Sequence, residues 1–193
     1  LFIPIDQEEQ VSTGQKIIFT LLFLIFGLPI LTLVSLVIIY LFIFQPVQIK
    51  GQAMAPNYVD GQYYLIDKIT YRSINPARGD VVIFKSFQNP DINYIKRIIA
   101  IPGDTVSLQN RNVFINNEEL NESSYLNGNM QTYDGAFLGD GQKITVPDDN
   151  YFVFGDNRVD SSDSREWGFI HKKDIIGKLT LCYYQCSLSV TKK

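Results

Sequence analysis

From Ile17 to Phe44 the chain carries no charged residue, and the run IIFTLLFLIFGLPILTLVSLVIIYLFIF shows no polar stripe at a helical period. Wound as an α-helix it would extend about 42 Å at ~1.5 Å per residue, more than the ~30 Å hydrocarbon core of a bilayer. A tilt, or a kink at Gly27 and Pro29, absorbs the excess. A cleaved leader would have a shorter apolar stretch ending at a small-residue site. A core helix in so small a domain would show a polar face. The pattern therefore predicts a transmembrane helix over 17–44, preceded by a lead-in over 1–16 that is interfacial or disordered at Leu1–Glu9. Asp6, Glu8, Glu9 and Lys16 ahead of the helix give the positive-inside rule no direction.

After Pro46 the continuous apolar run gives way to short alternating segments broken by Gly, Pro, Asn and Asp. Strands are expected at Tyr63–Asp67, Val81–Phe84, Tyr94–Ile101, Thr105–Leu108, Val113–Ile115, Tyr151–Phe154 and Ile175–Tyr184. Turn signals separate them, among them Asn75-Pro76, Arg78-Gly79-Asp80, Pro102-Gly103-Asp104 and Asn116-Asn117. No segment beyond Lys50 holds a helical period for three turns. The expected fold is mainly β: one N-terminal transmembrane helix, then an antiparallel domain over 45–193, sandwich or barrel-like. The Asn- and Gly-rich stretch 110–143 reads as a small subdomain inserted between core strands.

Composition changes this picture at a few points. The 193 residues are 46% hydrophobic and 19% charged, and the apolar excess belongs to the helix. A net charge of -3 without a clustered basic face argues against a nucleic-acid partner. The lone histidine, His171, excludes a multi-histidine metal site and leaves little room for a His-based triad, so proton transfer needs another base. Cys182 and Cys186 would lie about 13 Å apart on a continuous strand, too far for a disulfide. Two buried thiols are expected there unless a bulge or tight turn brings them together.

Four local patterns carry candidate chemistry. They are Gly51-Gln52-Ala53-Met54-Ala55-Pro56; Arg78-Gly79-Asp80-Val81-Val82-Ile83-Phe84; Tyr94-Ile95-Lys96-Arg97 running on to Pro102-Gly103-Asp104; and Gly155-Asp156-Asn157-Arg158 running on through Ser161, Asp163 and Arg165 to Gly168. On a strand, Lys96 shares a face with Tyr94 and Ile98. An amine on such a face either reaches water or is desolvated, and desolvation lowers its pKa. A neutral lysine can act as a general base without histidine. The plainer reading of Lys96 alone is a solvated edge-strand residue. The fourth pattern, taken alone, is a hydrogen-bonded loop whose charges pair internally.

In this order, after one apolar helix, the four patterns closely resemble the sequence boxes of type I signal peptidases, over nearly the whole chain to Gly177. The resemblance implies a largely antiparallel β domain on the outer face of the plasma membrane, anchored by a single pass. It implies a serine endopeptidase that removes signal peptides from secretory and membrane precursors after small residues at −3 and −1. The implied partners are those precursors and the lipid bilayer, with no metal, organic cofactor or nucleic acid. Lys96 matches the general base, Ser161 the hydroxyl that orients it, Asp163 and Arg165 a supporting ion pair, and Met54 and Pro56 the turn after the nucleophile. The nucleophilic serine itself falls on Ala53. Either a Ser→Ala substitution has stopped turnover, or the chain is a natural pseudoprotease or receptor that binds signal peptides without cutting; intact Lys96 and Ser161 favour the first. Gly51 stands where some members carry an oxyanion-hole hydroxyl, and Asn57-Tyr58 where many have Thr-Leu. An exposed apolar rim near the site is expected from Tyr58 or Phe87.

Overall fold

A computed structural model describes residues 12–86, 92–127 and 130–186. The chain divides into two compact units, residues 1–42 and 43–193. The expected lead-in Leu1–Glu9 lies outside the described residues.

The apolar run is helical from Thr13 to Ile43 and is long and apolar enough to cross a membrane. It consists of α1 (Thr13–Leu22), a π-helical turn (Phe23–Gly27) and α2 (Leu28–Ile43). The helix begins within the stretch assigned to the lead-in because Ser12 starts it: Lys16 N–H donates to the Ser12 carbonyl at 3.1 Å, and Ser12 N–H to Gln15 Oε1 at 3.0 Å. The π turn lies where Gly27 and Pro29 suggested a kink. Pro29 has no N–H to continue the helical ladder, and Leu28 N–H reaches back to Phe23 instead. A Cβ on Gly27 would stand 2.6 Å from the Phe23 ring.

At its other end the helix stops at Ile43, and Phe44 opens a strand. The second unit contains β1 (Phe44–Gln48), β2 (Tyr63–Asp67), α3 (Thr70–Ser73), β3 (Val81–Lys85), β4 (Asn93–Ala100), β5 (Thr105–Gln109), β6 (Asn112–Ile115), β7 (Glu118–Glu119), β8 (Lys143–Thr145), β9 (Asn150–Phe154), α4 (Ser164–Trp167), β10 (Ile170–His171) and β11 (Ile175–Tyr184). Seven strands form one sheet in the order β1-β2-β11-β3-β4-β9-β10, and four form a second in the order β7-β6-β5-β8; the named pairings are antiparallel. The fold is thus mainly β after one apolar helix. Strand β1 was hidden in the sequence by Pro46, which pairs with Leu65 on a strand that closes one edge of its sheet, where a missing N–H is tolerated.

The second sheet spans Thr105–Thr145, a wider stretch than the expected insertion. Its Val106, Leu108, Val113 and Ile115 share a core with Ile99 of β4 and with Phe152 and Phe154 of β9. Another core gathers Ile49, Met54, Ile66, Ile83 and Leu179 beneath β1–β3 and β11.

The cysteines depart from the expectation of free thiols. Cys182 and Cys186 are disulfide-bonded, with Cα atoms 5.8 Å apart. A separation of about 13 Å holds only on a continuous strand. Instead β11 shifts register against β2 between Leu179 and Cys182 and again before Tyr184, and Gln185 then takes a left-handed conformation (φ 55°). The chain turns back on itself within the four-residue spacing.

Candidate active site

The segment after β1 is a tight turn. Gly51 sits at φ +86°, a conformation that favours glycine, and its N–H donates to Asp60 Oδ1 at 2.7 Å. Ala55 N–H returns to the Gln52 carbonyl at 3.0 Å and Tyr58 N–H to the Met54 carbonyl at 3.0 Å. Met54 is buried in the core with Ile49 and Ile83, which pins the turn from below. Pro56 is exposed at the turn's outer side. Ala53, beside the buried Met54, lines a groove of about 630 Å³ together with Met54, Ile83, Tyr94, Lys96 and Ser162.

Lys96 enters this groove from β4, opposite Val82 of β3. It is only 3% exposed, and its Nζ stands 2.9 Å from Ser161 Oγ. Burial pushes the Lys96 ammonium down to about 8; the Asp163 carboxylate opposes that shift and the Arg165 guanidinium adds to it. The amine is therefore far easier to deprotonate than an exposed lysine. Strand alternation sends Arg97 elsewhere. Arg97 Nε and Nη2 form a two-pronged pair with Asp156, at 2.7 and 2.6 Å.

The loop after β9 brings the remaining groups in. Gly155 lies so close to the turn that a Cβ there would overlap both Ser161 Oγ and the Ala53 carbonyl. Asn157 N–H donates to the Ala53 carbonyl at 3.0 Å, and Asn157 Nδ2 to the Gln52 carbonyl at 3.1 Å. Asp156, fully buried, also accepts from Asn57 Nδ2 at 2.8 Å. The turn bearing Ala53 is thus held to the 155–157 loop on both sides. Gly155→Ala is expected to force that contact apart, costing about 1–3 kcal/mol and lowering the melting temperature by roughly 3–10 °C in a thermal melt of the detergent-solubilised chain.

Asp163 caps the short helix α4. Its carboxylate accepts from Arg165 N–H, Nε and Nη2 and from Gly155 N–H, all within 3.2 Å. Arg165 also donates to the Arg158 and Ser161 carbonyls. Its guanidinium therefore fixes the backbone carrying the Lys96 partner.

The structure brings Ala53, Met54, Lys96, Ser161, Asp163 and Arg165 into one region, with Pro56 on the same turn. It differs from the sequence expectation in the charge pairing of the fourth pattern. Only Asp163–Arg165 pairs within the loop. Asp156 pairs with Arg97 of β4, and buried Arg158 reaches Glu122 and Thr132 of the second-sheet region. Asn57, Asn157 and Gly155 were missed as individual site residues. The motif strings contained or adjoined them, but their partners are distant in sequence. Tyr58 is half-buried, its ring 5.3 Å from that of Tyr64, and so forms no exposed rim; Phe87 lies outside the described residues. Among the described residues no group of three His, Cys, Asp or Glu side chains is placed to hold a metal ion.

A protein-family model for signal peptidase, peptidase S26, matches residues 20–184. The chain is 35% identical over 159 residues to signal peptidase I P of Bacillus subtilis subsp. natto, covering 79% of this chain and 85% of the relative. To signal peptidase IB of Staphylococcus aureus strain N315 it is 33% identical over 165 residues, covering 80% and 85% respectively. A crystal structure of a signal peptidase I from Enterococcus faecalis V583 aligns with 55% of this chain and 98% of that one, at 31% identity and a TM-score of 0.46.

Proposed function

This chain belongs to the signal peptidase family, peptidase S26, and on that premise we propose that it is the framework of a membrane-anchored Ser/Lys endopeptidase for signal-peptide-bearing precursors, halted at residue 53. The observation that carries the reading is the buried Lys96 amine, 2.9 Å from Ser161 and opening on the same groove as Ala53. With serine at 53, its hydroxyl would attack the scissile carbonyl while neutral Lys96 takes the proton. The residue-53 backbone N–H would stabilise the oxyanion, without the side-chain donor that Gly51 cannot supply. Lys96 would then pass its proton to the leaving amine and activate the water that releases the acyl group. Ser161 orients Lys96 through their hydrogen bond, and Asp163 and Arg165 hold Ser161 in place. Met54 and Pro56 shape the turn.

As written, the chain binds precursors and does not acylate, because a methyl group is no nucleophile. The retained Lys96–Ser161 contact favours an interrupted peptidase over a natural pseudoprotease or receptor, which needs no desolvated base. The β unit that opens with β1 at Phe44 is the peptidase domain, on the extracytoplasmic side of a single span within Thr13–Ile43, and part of the second sheet, about 110–143, is the insertion.

The test uses the Ala53→Ser chain in detergent or lipid with a precursor carrying an Ala-x-Ala site. Cleavage should follow the neutral fraction of Lys96. Its pKa is lowered from the ordinary lysine range to about 8, so the rate rises with pH through a midpoint near 8 and levels off about one unit above it. A rate that stays flat from about pH 6 to 9.5, with no rising limb, would remove Lys96 as the base.

A further inference from the structure

A second cluster of charge lies at the opposite end of β1 and β2 from the groove. The β unit starts at Ile43, the residue that also ends the apolar helix, and Lys68 N–H donates to the Ile43 carbonyl at 3.1 Å. Lys68, Arg72, Lys172 and Lys173, with His171, border a hollow of about 520 Å³ in which Asp149 is the one carboxylate among the lining residues. Two segments distant in sequence build this surface. The first is the α3 turn after β2; the second is the 3-10 turn over Lys172–Asp174, and Lys172 Nζ joins them by donating to Asn75 Oδ1 at 2.6 Å. On the α3 side two large apolar side chains flank the cations in exposed positions, Ile69 at 37% and Ile74 at 63%.

Cations interleaved with exposed isoleucines suit a membrane interface, where headgroups meet acyl chains. The position decides which anion is at hand. The helix that is long and apolar enough to cross a membrane ends at Ile43, the first residue of the β unit, so lipid is at hand along the chain next to that residue. Lys68 is one hydrogen bond from that residue. We infer that the surface formed by Lys68, Arg72, Lys172 and Lys173 binds the headgroup of an anionic phospholipid, with Ile69 and Ile74 against its acyl chains. Bound lipid would fix the angle at which the β unit rests on the bilayer, independently of the groove at Ala53 and Lys96.

The full chain in detergent micelles, titrated with phosphatidylglycerol or phosphatidylcholine and read by native mass spectrometry, tests this. Phosphatidylglycerol should be retained about tenfold better than phosphatidylcholine, and Lys68→Gln/Arg72→Gln/Lys172→Gln/Lys173→Gln should abolish the difference. The exposed single variant Arg72→Glu should weaken retention severalfold, and Lys68→Arg/Lys172→Arg/Lys173→Arg should preserve it; these two decide the matter if the quadruple variant loses its melting transition. Equal retention of both lipids, or an Arg72→Glu chain that binds phosphatidylglycerol as before, overturns the inference. So does displacement of the lipid by inorganic phosphate at equal concentration, which would mark a site for free anions. None of these readouts uses peptidase activity, so a failure here and a failure of the proposed function are distinguishable.

Discussion

Ala53→Ser is expected to turn a chain that leaves an Ala-x-Ala precursor intact into one that cuts it, with a gain in rate of at least about 10³-fold. The size follows from how such sites respond to loss of the nucleophile: with the attacking group gone, only binding and oxyanion stabilisation remain. The other groups that the proposed reaction uses stand together in the structure. Lys96 is buried and its proton affinity is lowered, Ser161 is 2.9 Å from it, and the Ala53 carbonyl is tied by Asn157 N–H, which fixes the direction of the residue-53 side chain. The added hydroxyl has room, since Ala53 lines an open groove. Mass spectrometry of the products distinguishes the outcomes. Cleavage after the second alanine by the Ala53→Ser chain, lost again on adding Lys96→Ala, is the expected result. An Ala53→Ser chain that binds the precursor without cutting it would leave the receptor reading standing.

Much of this was legible in the chain because the relevant signals are local. An unbroken apolar run gives a helix long and apolar enough to cross a membrane, and alternating segments bounded by turn residues give strands. Tyr63–Asp67 and Ile175–Tyr184 have the bounds that their alternation predicts, and the other expected strands shift by a residue at one or both ends. The placement of Lys96 on an apolar face was likewise readable from period two alone. What stayed hidden depends on contacts between distant segments. Strand β1 exists because β2 accepts its Pro-containing edge, and neither segment announces the other. The Cys182–Cys186 bond depends on register shifts along β11 that no propensity encodes. The partners of Asp156 and Arg158 lie on β4 and in the second-sheet region, so a loop that reads as pairing its own charges in fact ties three parts of the domain together.

That division gives Asp163 a particular weight, because its interactions are short in sequence yet support the long-range assembly. Asp163→Ala would leave the nearly buried Arg165 guanidinium without its counter-charge, remove the cap of α4 and deprive Gly155 N–H of its acceptor. Breaking a buried pair from one side typically costs about 3–5 kcal/mol, so the melting temperature should fall by roughly 6–20 °C. A stability loss alone would fit any buried ion pair. The site makes a second demand, read in the Ala53→Ser background with Asp163→Asn, which keeps the side-chain shape and removes the charge. Asp163 is the largest influence favouring the Lys96 ammonium, against burial and Arg165. Without its charge the Lys96 pKa moves below about 8, and the rising limb of the pH–rate profile should move to lower pH with it. A destabilised protein whose limb stays where it was would reduce Asp163 to a structural strut, whereas a shifted limb makes it a positioning residue that also sets the pH at which the base becomes available.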